Sequence, residues 1–215
     1  MRLRKKPWIA EALGQFDDIL VEPGFSGGWD GVFGRPAPLY VELGTGRGKF
    51  ITDMAKLHPQ VNFVGIEAVR DVLYCAACKV REQALSNVRL VLFNVNEMRD
   101  LFAPGEIDRL YINFCDPWPK NRHAKRRLTH GRFLEMYRDL LKPCGELHFK
   151  TDNAALFEFS LNQFAEAKLE LQNIALDLHK SNCPDNVTTE YEARFSALGM
   201  KIFRCEARFE PLCKT

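Results

Sequence analysis

Val41-Glu-Leu-Gly-Thr-Gly-Arg-Gly48 sets three glycines, Gly44, Gly46 and Gly48, behind a carboxylate at the end of an apolar run. Glycine permits positive φ and lets a ligand approach the backbone without meeting a Cβ. The spacing is G-x-G-x-G, whereas a dinucleotide fingerprint is G-x-G-x-x-G with the next helix aimed at a pyrophosphate. Glu42 would repel a phosphate and attract an ammonium or a sulfonium. The turn therefore favours a cationic ligand such as S-adenosylmethionine (SAM). Glu67 ends the next apolar run, about 20 residues on, where a carboxylate accepts ribose hydroxyls. Asn94 ends the third run and suits an adenine edge. Alone, the glycines describe only a tight strand-to-helix turn; polar groups at three successive strand ends converge on one crevice.

Asn113-Phe-Cys-Asp-Pro-Trp-Pro-Lys120 follows a fourth apolar run, and its two prolines stiffen the loop. Asp116 is the carboxylate best placed to meet a substrate, and Trp118 offers a face for stacking a base or a cation. The competing reading is a loop packed by its own Pro and Trp, with Asp116 as a turn-former. Cys115 reads as an ordinary buried residue, because a cytosine C5 methylase would need an activated thiolate. Lys120, Arg122, His123, Lys125, Arg126 and Arg127 come next, with no acid between Asp116 and Glu135. Such a run can be a solvated face, but one abutting the reaction centre suits a phosphate-binding patch. Arg2, Arg4, Lys5 and Lys6 form a second basic cluster.

Alternating elements must position these groups. Apolar runs at 39–43, 62–67, 88–93 and 108–114 predict strands, with helical stretches to about His58 and to about Ser86 and a short helix after Asn96. Phe133, Met136, Tyr137, Leu140 and Leu141 share one helical face that Pro143 and Gly145 close. A strand at 145–150, a helix carrying Phe157, Leu161 and Phe164, and strands at 170–178 and 201–209 complete the pattern. Residues 23–38 hold five glycines and three prolines and predict a loop without a regular element. Five strand and helix units in succession imply a parallel sheet covered on both faces.

Composition sets outer bounds. Two hundred and fifteen residues, 46% hydrophobic and 27% charged, exclude a disordered, collagen-like or disulfide-scaffold chain. Lys plus Arg number 30 against 28 Asp plus Glu, so local clusters rather than net charge point to a polyanion. No apolar run reaches the ~18 residues that span a bilayer. The basic start is interrupted by Glu11, Gly14 and Asp17, so it does not continue as a signal peptide. Seven cysteines, an odd number, suit free thiols and a cytoplasmic chain. Cys75 and Cys78 lie at helical spacing with Val72, Leu73, Ala76 and Val80, and nothing completes a tetrahedral site, so no metal is expected.

Asp116 to Lys120, Arg122 to Arg127, Phe149 to Asn153, and Thr189 to Gly199 together resemble the bacterial tRNA (guanine-N7-)-methyltransferase (TrmB) family, from about Leu39 to the end. The resemblance implies a class I SAM-dependent methyltransferase, Rossmann-like, with a mostly parallel seven-stranded sheet and helices on both faces. Residues 1–38 would be a basic N-terminal segment and Gly/Pro-rich loop, and 39–215 a single methyltransferase domain. The implied reaction is methyl transfer to N7 of a guanine in the tRNA variable loop, conventionally position 46. Glu42, Glu67, Asn94 and Asp116 fall in the implied SAM set beside the three glycines, with Asp116 also catalytic. Lys120, Asp152 and Thr189, Glu190, Tyr191 and Glu192 match the substrate set, and Arg122, His123, Lys125, Arg126 and Arg127 the RNA-contacting run. Many members carry Asp where this chain has Asn94. The implied partner is tRNA, with no membrane or metal, and the chain is expected as a monomer or homodimer.

Two segments read in two ways. Thr189-Glu-Tyr-Glu192 is also a capping box opening a helix that Gly199 ends. Thr151-Asp152-Asn153 also suits a cap for the helix through Phe157. Rival activities are an exocyclic-amine N-methylase, because Asp116-Pro-Trp-Pro resembles a D-P-P-Y loop, an NAD-dependent oxidoreductase, which the glycine spacing disfavours, and an RNA-binding module without SAM.

Overall fold

Apolar runs with buried residues on both sides can only be central strands of a covered sheet, and the computed structural model, which describes residues 8–24, 26–181 and 183–209, shows one such sheet. The basic cluster of Arg2, Arg4, Lys5 and Lys6 lies outside the described residues. The strands are β1 (Leu39–Leu43), β2 (Asn62–Glu67), β3 (Val88–Leu92), β4 (Ile107–Asn113), β5 (Leu141–Thr151), β6 (Glu170–Ala175) and β7 (Phe203–Arg208). Their order is β3-β2-β1-β4-β5-β7-β6. The first five are parallel, and β7 enters antiparallel to both β5 and β6. The two tail segments expected as strands thus form an antiparallel hairpin at the sheet's edge.

The helices are α1 (Trp8–Leu13), α2 (Trp29–Phe33), α3 (Lys49–Leu57), α4 (Arg70–Glu82), α5 (Gly131–Leu140), α6 (Ala154–Glu166) and α7 (Glu190–Ser196). On one face, Phe50, Ile51 and Met54 of α3 and Leu73, Ala76 and Val80 of α4 pack against Phe63, Val88 and Leu90. On the other, Phe133 and Tyr137 of α5 and Phe157 and Phe164 of α6 pack with Val41, Ile66, Leu110 and Phe149. The period-2 alternation of each strand sends neighbouring side chains to these two cores.

Residues 23–38 contain a regular element after all. The short helix α2 is bracketed by Gly28 and Gly34, both left-handed with φ of 84° and 69°. Glu106 Oε1 accepts from the Gly28 and Trp29 N–H groups at 2.7 and 3.0 Å, satisfying the helix start. Trp29 is 1% exposed, stacks on Phe102 and donates from Nε1 to the Leu101 carbonyl at 2.9 Å. One buried tryptophan, rather than any periodicity, holds this helix. β5 likewise begins at Leu141, before the expected 145, with a register irregularity ahead of Glu146.

One stretch of sheet is polar. β4, β5 and β7 turn Arg109, Tyr111, Glu146, His148, Arg204 and Glu206 into a cavity of about 600 Å³ roofed by residues 184–187. Arg109 pairs with Glu146 at 2.7 Å, and Arg204 with Glu206. The hydrogen bond from His148, at 3.0 Å, is the leading reason that the Glu146 carboxyl is held down to about 2. The same strands send Leu110, Ile112, Leu147, Phe149 and Cys205 into the opposite core.

Helix α3 reaches close to α4 only because Gly48, its N-cap, has no side chain. A Cβ there would lie 2.8 Å from Ala76 Cβ and 2.9 Å from Ala76 Cα, on a backbone with φ +81°. Gly44, at φ +75°, has nothing within 4 Å of such a Cβ. Gly48→Ala is therefore expected to cost about 3 kcal/mol, combining left-handed strain with overpacking. Gly44→Ala should cost about 1 kcal/mol from backbone strain alone. Urea denaturation of the two variants checks the difference, and equal losses would show that the Ala76 contact relaxes freely.

Candidate active site

Strand order reverses between β1 and β4, and ligands of such sheets enter at the carboxyl ends beside that reversal. After β1 the chain turns through Gly44, Gly46 and Gly48, all at positive φ. The N–H groups of Gly44 and Thr45 both donate to the Ile66 carbonyl, at 2.8 and 3.0 Å, so the turn is tied to the end of β2. Glu67 accepts from the N–H groups of Gly46 at 3.1 Å and Val69 at 2.9 Å. Asn94 Oδ1 accepts from Asn96 N at 3.1 Å and Asn96 Nδ2 at 2.7 Å, capping a 3₁₀ turn over Val95–Asp100.

Gly44, Glu67, Asn94, Asn113, Phe114 and Asp116 all line one crevice of about 730 Å³. Its donor set fits SAM: a carboxylate for ribose hydroxyls, an amide for an adenine edge, and bare backbone at Gly44, where a Cβ would meet nothing. Among the described residues, no group of three or more His, Cys, Asp or Glu side chains is arranged to hold a metal ion. No helix among them is long and apolar enough to cross a membrane.

Glu42 is 4% exposed and accepts from Thr45 Oγ1 at 2.7 Å and Asn113 Nδ2 at 3.0 Å. Burial pushes its carboxyl up to about 7, against the pull of those two hydrogen bonds and of Lys150. Cys115 is held as a neutral thiol, pushed up to about 12 chiefly by burial, which removes it as a nucleophile near neutral pH.

Asp116 is exposed on a loop bent by two non-glycine residues at positive φ, Phe114 at 53° and Trp118 at 41°. Arg127 fixes this bend. Its Nε and Nη2 donate to the carbonyls of Pro117 and Trp118, each at 3.1 Å, and its guanidinium lies 4.3 Å from the Phe159 ring centroid. Arg127, expected in the RNA-contacting run, thus spends Nε and Nη2 on bracing the loop. The Arg126 guanidinium sits 4.8 Å from the Trp118 ring centroid, so a cation of this same chain already occupies that ring. Lys120, Arg122, Lys125 and Arg126 are exposed on and beside the 3₁₀ turn Asn121–Arg126 and make no ion pair among the described residues; His123 is half-buried, edge-on to Trp118.

A second crevice, of about 440 Å³, lies beyond Phe114 and is lined by Glu42, Thr189, Glu190 and Tyr191 as well as the glycine turn. The Tyr191 ring is 4.8 Å from Phe114, and its hydroxyl donates to Asp152 Oδ2 at 3.1 Å. Asn153 caps α6, accepting from Leu156 N at 2.8 Å, which leaves Asp152 free to face Tyr191. Thr189 and Glu192 form the capping box of α7, with Glu192 N donating to Thr189 Oγ1 at 2.9 Å. Glu192, expected in the substrate set, lines neither crevice. Its side chain is 0% exposed and accepts from Lys150 Nζ at 2.8 Å and Asn186 Nδ2 at 2.7 Å.

Lys150 and Asn113 are the site residues that sequence reasoning passed over. Lys150 Nζ also donates to the Val187 carbonyl at 2.9 Å, so one ammonium fastens the segment leading into α7 onto β5. Burial draws this ammonium down from its ordinary value, opposed by Glu192. The one signal for Lys150 was its place between Phe149 and Thr151 in the matched motif.

Two outcomes follow from these buried charges. Lys150→Met takes the ammonium from the buried Glu192 carboxylate, which keeps Asn186 at 2.7 Å and His179 at 3.3 Å, and should cost about 3 kcal/mol, part of which Lys150→Met combined with Glu192→Leu should recover. A double-mutant cycle by chemical denaturation checks this, and additive losses would rule out the pairing. Because the Glu42 carboxyl titrates higher in the folded chain than in the unfolded one, its ionisation opposes folding from about pH 4.5 and does so fully above about pH 7. Glu42→Gln should therefore stabilise the ligand-free protein at pH 8 by up to about 3 kcal/mol and have little effect at pH 4. An equal effect at both pH values would contradict it.

The family model described as "Putative methyltransferase" matches residues 36–205. The chain is 49% identical over 211 residues to the tRNA (guanine-N(7)-)-methyltransferase of Halalkalibacterium halodurans, covering 97% of this chain and 96% of that one. It is 46% identical over 211 residues to the enzyme of the same name from Bacillus subtilis, covering 97% and 99%. Among solved structures, a 16S rRNA (adenine(1408)-N(1))-methyltransferase variant from Catenulisporales acidiphilia, with its cosubstrate SAM, superposes with a TM-score of 0.60 at 14% identity, covering 87% and 92%. That likeness establishes the shared fold, the class I SAM methyltransferase sheet. With near-full-length identity close to one half, the chain belongs to the tRNA (guanine-N(7)-)-methyltransferase family.

Proposed function

We propose that this chain transfers a methyl group from SAM to N7 of a guanine in the variable loop of tRNA, at position 46, giving 7-methylguanosine. The observation that carries this reading is the meeting of two crevices at Gly44, Asn113 and Phe114, with Asp116 on the rim and the exposed basic turn beside it. Bound in the first crevice, SAM supplies a methyl group on a positively charged sulfur, and the C–S electron pair leaves with the sulfur. Guanine N7 carries an in-plane lone pair and no proton, so no general base is required. The chain's own work is then to hold N7 near attack distance, about 3 Å.

Glu67 and Asn94 hold the ribose and adenine, and Gly44 and Gly46 expose backbone to the ligand. Buried Glu42 presents negative charge near the cationic end once that end draws its proton away. Asp116 accepts from N1–H and the exocyclic amine of guanine, orienting the base rather than deprotonating the attacking atom. Asp152 and Tyr191 close the far side of the base, with Thr189 and Glu190 framing the crevice. Lys120, Arg122, His123, Lys125 and Arg126 receive RNA phosphates, and Arg127 keeps the Asp116 loop in the shape that this requires.

The test is transfer of labelled methyl from SAM to unmodified tRNA, followed by nucleoside analysis. The expected product is 7-methylguanosine from the variable loop, and methylation of an exocyclic amine would replace this reading with its rival. Asp116→Asn keeps the shape and loses the anionic acceptor, so turnover should fall about tenfold or more. Near-normal turnover would exclude the orienting role.

A further inference from the structure

The exposed turn at 121–126 lies on one side of Phe114, and a second set of cations lies on the other. Arg47, Lys49 and Arg194 all line the crevice of about 440 Å³ that Tyr191 and Glu42 share. Two cations at this crevice are already neutralised. Lys49 Nζ pairs with Asp53 at 2.6 Å and donates to the Thr188 carbonyl at 3.0 Å, and Lys79 pairs with Glu190. Arg47 and Arg194 are exposed and make no ion pair among the described residues.

Arg47 projects from the glycine turn and Arg194 from α7, so two elements brought together by folding present guanidinium groups to one cleft. Guanidinium forks suit phosphate oxygens, and they suit a polyanion better than a neutral partner. The first crevice, across Gly44, Asn113 and Phe114, is bordered by Lys125 and Arg126. Phe114 lines both crevices, so a nucleotide placed against it would have Lys125 and Arg126 in one and Arg47 and Arg194 in the other to meet its flanking phosphates.

We propose that Arg47 and Arg194 form a second phosphate-binding site, which holds the RNA backbone on the side of the target nucleotide opposite the 121–126 turn. The proposal rests on the reading of this chain as a tRNA methyltransferase. It gives the enzyme a two-point grip, in which one arm fixes the strand entering the centre and the other the strand leaving it. Such a grip favours a nucleotide displaced from its stack, because a base still in a helix would not bring its flanking phosphates to both sides of Phe114.

The test is the salt dependence of affinity for unmodified tRNA, with SAM affinity measured in parallel. Each phosphate contact contributes about 0.7–0.9 to the slope of log K against log salt. Arg47→Gln with Arg194→Gln should lower that slope by about 1–2 and leave SAM affinity unchanged. Arg47→Lys with Arg194→Lys keeps the charge and should restore most of the slope. Arg122→Ala with Lys125→Ala serves as the comparison on the other side of the centre. If the glutamine pair leaves the slope unchanged while the Arg122 and Lys125 pair lowers it, the second site is overturned and the tRNA reading stands. A weaker SAM affinity with an unchanged slope would assign Arg47 to the cofactor and also overturn the site. If the unaltered protein neither binds nor methylates tRNA, the underlying reading fails instead.

Discussion

The pairing of β1 with β4 is the constraint on which this molecule depends. Leu43 lies beside Ile112 in that pairing, so the two chains leave the sheet together and then diverge. The divergence opens the crevice, and the first residues beyond the pairing set its chemistry. Asn113 reaches back 3.0 Å to Glu42, closing the gap at its base with a hydrogen bond between the two strands. A carboxylate in so buried a place would ordinarily be lost as a functional charge, but the amide and the Thr45 hydroxyl keep its oxygens oriented. Shifting this register by one residue would send Leu110 and Ile112 to the polar face of the sheet and Arg109 and Tyr111 into the core.

A second constraint acts through β5. Lys150 leaves the sheet on the polar face and gathers Glu192, Asn186 and the Val187 carbonyl. The segment before α7 has little apolar burial of its own, and this one ammonium substitutes for a core. The capping box of α7 and the Tyr191 contact to Asp152 both inherit their position from it. The crevice on that side is thus a polar assembly laid over a sheet, whereas the crevice lined by Glu67 and Asn94 is built from the strand ends themselves.

The difference explains what could be read from the sequence. Strands β1 to β4 carry their own signal in apolar runs, and strand ends fall where Glu42, Glu67 and Asn94 stand; folding brings Glu67 and Asn94 into one crevice and leaves Glu42 in the adjoining one, a division the strand pattern does not carry. Helix α2 was not, because a single buried tryptophan and a remote Glu106 hold it, and neither leaves a periodic trace. Arg127 was indistinguishable from Arg126 in a run of like charges. Only the bend at Phe114 and Trp118 puts two carbonyls within its reach and turns it inward. Glu192 fell in the expected substrate set because its burial depends on Lys150, 42 residues away in the chain.

Phe114 and Trp118 hold left-handed backbone on either side of Asp116. L-residues resist that conformation by about 1–2 kcal/mol each. Glycine at either position would relieve that strain, and would give up the contact of Phe114 with Tyr191 or those of Trp118 with His123 and Arg126. Glycine at both would remove the two aromatic rings flanking the exposed carboxylate, one of them the ring on which Arg126 rests. Backbone strain and ring contacts are set against each other at the same two residues, and the rings that hold the loop around the exposed carboxylate are kept at the expense of a relaxed backbone.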